Sequence, residues 1–271
     1  MSGFALLFAT LIGVFITPDG IVVGADSAVS SRRGQSTREK YCVTGPHGVS
    51  TLQGVYELTD TETNATVALY DEFREWCARI DRTQLPATLR GQAQFIAEAL
   101  RTALDSFLED VPAIEVIRQY SSNPVVARIA VSGYDEHGPG SVVVALGIAT
   151  DRSTNRWETQ IRSISNLTFQ ECGARFHGQE VVILSLKSSR DFRVPKPERQ
   201  KPEVEKLRSL AGGSCSDVSI RLAPQLFAEA ARLTVAYGKG FGIPPGVVNL
   251  PLDIIVIPKN GKVEITRLDT W

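Results

Sequence analysis

The sequence predicts an α+β fold with two antiparallel sheets at its centre and long helices outside them, a four-layer αββα sandwich. Three observations lead there. Short apolar segments joined by tight turns open the chain, two long amphipathic stretches follow, and further strand-like segments with one more helix run to a closing hairpin. An order of strands, two helices, strands, helix, strands suits helices laid on antiparallel sheets.

Residues 10–16 and 21–25 are apolar and flank Pro18-Asp19-Gly20. Pro18 pre-sets one backbone angle and Asp19-Gly20 supplies the left-handed position of a tight reversal, so the pair reads as a hairpin. Its ends are polar. Thr10 opens the first strand, Asp26 and Ser27 close the second, and antiparallel pairing brings those ends together. The same residues also fit an ordinary core hairpin with polar ends.

Residues 30–40 form a polar, basic loop around Gly34. A short strand at 41–43 and another at 49–54 flank the turn Gly45-Pro46-His47-Gly48. From 61 to 80 apolar residues recur with helical spacing, and Thr63 or Asn64 would cap that helix. A second helix is expected over 86–108, with Pro86 in the first turn where proline is tolerated. The aromatic stripe of these helices reads as core.

Strands are expected at 125–132, 141–149, 157–164 and 180–186. Residues 188–210, rich in proline and charge, read as an exposed excursion with a short helix at 203–210. The small-residue segment 212–216 leads to a helix at 223–237 and a glycine-rich loop at 238–246. Strands at 252–257 and 263–267 close the chain around Asn260-Gly261. No internal repeat or linker interrupts 10–271, which reads as a single domain.

The chain has 271 residues, 43% hydrophobic and 22% charged, with a net charge of −1. That length buries a sizeable core, and the charge balance favours neither nucleic acid nor an anionic membrane. Cys42, Cys77, Cys172 and Cys215 lack the short spacings of a zinc site or redox pair. Two disulfides would suit an exported protein, but the spacing does not require them. The apolar run over 4–16 is too short for a stable membrane span of about 20 residues. Without Lys or Arg before it, residues 1–9 are a poor signal segment, a short propeptide, or the early start of the first strand. A cytoplasmic location is favoured, with export as the alternative. The Asn-x-Thr triplets at Asn64 and Asn166 are too common to indicate glycosylation.

His47, His137 and His177 are scattered, and neither a serine elbow nor a phosphate-binding loop is present. A threonine nucleophile is another option. A hydroxyl needs a base. A cut before Thr10 would place an α-amine beside its hydroxyl, and a nearby cation would tune that amine towards neutrality. Such a site needs a lysine, a carboxylate to hold it and a backbone N–H for the oxyanion. Lys40, Asp26 and Gly54 follow in the right order. No metal or organic cofactor is required.

Ile21-Val-Val-Gly-Ala-Asp-Ser27 after the Pro-Asp-Gly turn resembles the N-terminal hairpin of proteasome-type β subunits, which belong to the N-terminal-nucleophile hydrolases. Lys40 and Gly54 lie near the positions of that family's lysine and oxyanion-hole glycine. Val131-Ser-Gly-Tyr-Asp-Glu-His-Gly-Pro139 and Leu252-Asp-Ile-Ile-Val-Ile-Pro-Lys-Asn-Gly261 resemble later segments. The resemblance implies the αββα fold, Thr10 as nucleophile, a peptide or amide substrate and a homo-oligomer. Matching Gly13 to the family's first-strand glycine instead puts Ala9 at the nucleophile position. Gly242-Ile-Pro-Pro-Gly246 stands where an Asp and a Ser-Gly-Gly segment are expected. Ser132, Ser214 and Ser216 are candidate substitutes without a fixed alignment. The segment 188–210 is foreign to the pattern. A non-catalytic subunit of the same fold is the second expectation. An unrelated exported binding protein is the third, favoured if Lys40 and Asp26 do not meet near Thr10.

Overall fold

The computed structural model describes residues 10–31, 34–54, 58–60, 63–109, 111, 125–151, 154, 156–168, 173–178, 180–187, 193–211, 218–243, 245–246 and 248–270. Strands β1 (Leu11–Thr17) and β2 (Gly20–Asp26) form the expected hairpin, paired from Ile12↔Ala25 to Thr17↔Gly20. The Thr17 hydroxyl donates to the Gly20 carbonyl and accepts from the Gly20 N–H, which closes the turn.

Two small ribbons flank the early chain, β3 (Ala28–Ser31) with β4 (Gly34–Thr37) and β7 (Leu58–Thr59) with β8 (Thr66–Val67). Between them run β5 (Tyr41–Gly45) and β6 (Gly48–Gly54). Later come β9 (Val125–Asp135), β10 (Gly138–Asp151), β11 (Arg156–Thr168), β12 (Gly173–Gly178), β13 (Leu252–Pro258) and β14 (Glu264–Leu268). One five-stranded sheet has the order β12-β1-β2-β13-β14 and the other β11-β10-β9-β6-β5. Both are antiparallel throughout. Among the described residues the helices are α1 (Leu69–Arg79), α2 (Leu89–Glu109), α3 (Val181–Ser185), α4 (Lys196–Arg199), α5 (Pro202–Ala211) and α6 (Ala223–Tyr237). The fold class is α+β, with two large antiparallel sheets.

The first hairpin reads as continuously apolar because both of its faces are covered, and successive residues still divide by face. Leu11, Phe15 and Val22 join a cluster with α6 residues Leu226, Phe227 and Ala230 and with Val204 and Leu207 of α5. Ile12, Val14, Ile16, Ile21, Val23 and Ala25 join Val49 of the second sheet with Ile255 and Ile257 of β13. The Phe227 ring lies directly on the hairpin backbone. A Cβ at Gly13 would stand 2.6 Å from that ring, and one at Gly24 2.2 Å. Helices α1 and α2 set Leu69, Phe73, Ile96, Leu100 and Leu104 against Leu52, Val126, Ile129, Val142 and Leu146 of the second sheet. A disulfide, Cys42–Cys77, ties β5 to α1.

Three expectations need correction. The loop expected over 30–40 carries the ribbon of β3 and β4 instead. The helical stretch expected from 61 starts at Leu69, because Thr66–Val67 pairs as a strand with Leu58–Thr59. The strand expected at 180–186 is the helix α3. Val182, Ile183 and Leu186 are buried while Val181 and Leu184 are exposed, a helical spacing that an unbroken apolar run conceals. The strand that pairs with β1 lies just before it, at β12. Beyond α3, Val194, Val204, Leu207 and Leu210 are buried, and charged residues of α4 and α5 such as Lys196 and Arg208 face solvent. The small-residue segment 212–216 lies outside the described residues.

Candidate active site

The polar ends of the first hairpin meet as the pairing requires. The Leu11 N–H donates to Asp26 Oδ1 at 2.7 Å, which anchors the carboxylate across the mouth of the hairpin. Thr10 immediately precedes this bond. Lys40 stands one residue before β5, and its carbonyl accepts the Leu52 N–H of β6 at 2.9 Å. That bond directs the side chain inward. Lys40 Nζ donates to Thr10 Oγ1 at 2.7 Å and lies 3.4 Å from Asp26 Oδ2. Thr10, Asp26 and Lys40 are each 0% exposed.

A buried ammonium is costly unless it is paired and hydrogen-bonded. Burial pulls the Lys40 pKa below its ordinary value, and Asp26, with Asp253 further off, opposes the shift. The result is a lysine whose charge depends on its neighbours, within hydrogen-bonding reach of a hydroxyl.

Gly54 ends β6. A Cβ there would stand 2.3 Å from the Val126 carbonyl oxygen, so only glycine lets β6 lie this close to β9. Its N–H donates to the Tyr70 hydroxyl, which itself lies 3.2 Å from Thr10 Oγ1. The four residues expected from the sequence, Thr10, Asp26, Lys40 and Gly54, are thus placed around one point, three by direct contact and Gly54 through Tyr70.

Tyr70 was not anticipated. It sits in the first turn of α1 and reads in sequence as one more core position. The available signal is general: a buried tyrosine needs a partner for its hydroxyl. Burial is the main cause of its raised pKa, so this phenol stays protonated.

A second polar group supports the first. The Ser27 hydroxyl donates to Asp253 Oδ2 at 2.6 Å, and the Ser27 N–H donates to the Pro251 carbonyl. Burial raises the Asp253 pKa, Ser27 and Arg267 pull it back, and Arg267 Nε stands 3.9 Å from the carboxylate. Ser132 donates to Ser141 at 2.9 Å within the second sheet. Ser214 and Ser216 lie outside the described residues. Among the described residues, no group of three or more His, Cys, Asp or Glu could hold a metal ion, and no helix is long and apolar enough to cross a membrane.

No family model matches this chain, and no curated protein does. Among solved structures it is similar to Anbu (ancestral beta-subunit) from Yersinia bercovieri, with a TM-score of 0.51 and 13% identity over 96% of this chain and 87% of that one. An Anbu (Gly-1) mutant from Hyphomicrobium sp. strain MC1 matches with a TM-score of 0.48 and 12% identity, covering 96% and 88%. The likeness to the first is one of fold. It corrects the expectation drawn from sequence resemblance: the chain is not identified as a proteasome β subunit of the N-terminal-nucleophile hydrolases. At 13% identity that likeness is too distant to carry over a family or its chemistry.

Proposed function

We propose that this protein hydrolyses a peptide or amide bond, with Thr10 as the nucleophile once the chain is cut between Ala9 and Thr10. The observation that carries this reading is the 2.7 Å contact between Lys40 Nζ and Thr10 Oγ1, with Asp26 3.4 Å from the same ammonium. A lysine so placed beside a buried hydroxyl has few structural uses, and its cost in desolvation is large.

The steps balance as follows. The α-amine of the cut chain takes the Thr10 hydroxyl proton as the oxygen attacks the substrate carbonyl. Lys40 holds that amine towards its neutral form, and Asp26 orients Lys40. The tetrahedral oxyanion accepts the Gly54 N–H. The α-ammonium then returns its proton to the leaving amine, which departs and leaves an ester on Thr10. Water attacks the ester with the α-amine again as base, and the acid product and free Thr10 result. Before the cut, Lys40 is the nearby base. Its lowered pKa suits it, as the neutral amine, to take the Thr10 proton while Oγ1 attacks the Ala9 carbonyl. The Ala9–Thr10 C–N bond then breaks as Lys40 returns the proton to the departing amine, and water hydrolyses the resulting ester to release residues 1–9, so processing would be autocatalytic.

The reading includes a four-layer αββα arrangement. It is supported by separate apolar clusters of α1 and α2 on one sheet and α5 and α6 on the other, with a third cluster drawing on both sheets. It also includes assembly into a homo-oligomer, checked by light scattering.

One observation favours a second reading, a non-catalytic protein of the same fold. The Tyr70 hydroxyl stands on both Thr10 Oγ1 and the Gly54 N–H, where a substrate carbonyl would have to sit. Intact mass of the purified protein separates the two, together with hydrolysis of quenched-fluorescence peptides. A chain beginning at Thr10, whose hydrolysis is lost in Thr10→Ala, supports the enzyme. A mature chain that keeps residues 1–9 sinks it.

A further inference from the structure

The space between the sheets is apolar along most of the first hairpin but polar at the Thr10 end. On β12, Phe176 and Ala174 pack towards α6, so Arg175 and His177 face the other way, beside Val14 and Ile12 of β1. On the second sheet Leu52, Ala127 and Ile129 pack towards α2, and the intervening Gln53 and Arg128 lie opposite each other on β6 and β9. The two pairs meet. Burial first, and then the charges of Arg175 and Arg128, hold the His177 imidazole down at about 4.

Gly178 fixes this group against the nucleophile. Its φ is +92°, and a Cβ there would lie 1.9 Å from the Thr10 carbonyl oxygen and 2.0 Å from Gln53 Nε2. Two buried nitrogens at this point, Gln53 Nε2 and His177 Nε2, have no hydrogen-bond partner. Gln53 is 1% exposed, and unsatisfied buried polar atoms are uncommon enough to require a cause. Burial raises the pKa of Glu180, just beyond, and Arg128 and Arg175 oppose that shift, so the two guanidiniums already act on a neighbouring carboxyl group. Arg175 is exposed on the edge strand, at the solvent side of this group.

We propose that the space bounded by Gln53, Arg128, Arg175 and His177 is a subsite for a substrate carboxylate, an acidic residue beside the bond that Thr10 cleaves. This rests on the hydrolytic reading above. Gln53 Nε2 donates to the carboxylate, His177 Nε2 donates through the tautomer that carries its proton there, and the two guanidiniums supply the charge. A peptide with the isosteric amide in place of the carboxylate keeps the shape and loses the charge-assisted bonds, which sets the discrimination between them.

The test uses paired quenched-fluorescence peptides that differ only in Glu or Gln on either side of the scissile bond. It has a hydrolysis arm on the processed protein and a calorimetric binding arm on Thr10→Ala produced so that its chain begins at residue 10. A Glu over Gln preference of tenfold or more is expected in both. Gln53→Leu and His177→Gln should bring the ratio towards one. Arg175→Gln, at an exposed edge position where folding is not at stake, should lower it at least threefold. Equal handling of Glu and Gln, no binding of either peptide, or a preference untouched by the three substitutions overturns the subsite. Preferential binding without hydrolysis keeps the subsite and removes the Thr10 chemistry. Hydrolysis without preference does the reverse.

Discussion

The Tyr70 hydroxyl lies 3.2 Å from Thr10 Oγ1 while accepting the Gly54 N–H. A phenol in that position mimics the carbonyl oxygen that an oxyanion-binding N–H would receive. It must leave before any substrate can use the same donor. In Tyr70→Phe the competitor is gone, so the processed protein should show a KM several-fold lower with kcat little changed. Stability should fall by about 1–3 kcal/mol, because the Gly54 N–H is left without its acceptor. A hundredfold loss of kcat at constant KM would instead make the hydroxyl part of the chemistry.

Lys40 combines two roles that a single substitution separates. Lys40→Met keeps most of the stem volume and removes the cation from beside Asp26, both residues being 0% exposed. Amide hydrolysis should fall by about 10²–10⁴-fold, because without the cation the α-amine is no longer held in the neutral form that serves as general base. Removing one partner of a buried pair should also cost about 3–5 kcal/mol in urea unfolding. The double variant Lys40→Met with Asp26→Asn should regain part of the stability and none of the activity. Unchanged stability in the single variant would show that the pair does not hold the fold together.

The hairpin that carries Thr10 and Asp26 is held from behind by one ring. Gly24→Ala would drive its methyl to 2.2 Å from the Phe227 ring. Overpacking of this kind costs about 1–3 kcal/mol. Phe227→Leu alone should also destabilise, by leaving space. Combined, the two changes should cost less than the sum of their separate effects, a favourable coupling readable from a double-mutant cycle. Strict additivity would mean that the hairpin shifts away from α6 rather than pressing on it.

What could be read from sequence was local. The first hairpin, the helices at 223–237 and near 86–108, and the closing strands all announce themselves through turn residues and apolar spacing within a single segment. The strand β12 did not, because Arg175 and His177 interrupt its apolar residues on an edge of the sheet. The apolar run before Leu186 satisfied strand and helix alike, and only its packing decides. Cys42 and Cys77 pair across 35 residues of chain with no spacing rule to announce it. At the site, Thr10, Asp26, Lys40 and Gly54 were nominated by chemical type and order. Tyr70 and Gly178 were invisible because their meaning lies in contacts with residues far away in the chain.

His177 gives the fold a pH dependence whose sign follows from its surroundings. Its imidazole is held at about 4 by burial first, then by Arg175 and Arg128, against an ordinary value of 6.5. Between those values the unfolded chain binds the proton that the folded chain refuses. Stability is therefore complete above 6.5 and is lost as pH falls towards 4, by on the order of 3 kcal/mol at most. Glu180 also faces this group and runs the other way, because burial raises its pKa and the folded chain takes up its proton more readily. Subtracting one profile from the other isolates the imidazole: urea unfolding of wild type and His177→Gln should differ by a constant amount above pH 6.5, and wild type should lose more stability than the variant between pH 6.5 and pH 4. Parallel profiles from pH 7 to pH 4 would show that His177 titrates normally in the folded protein.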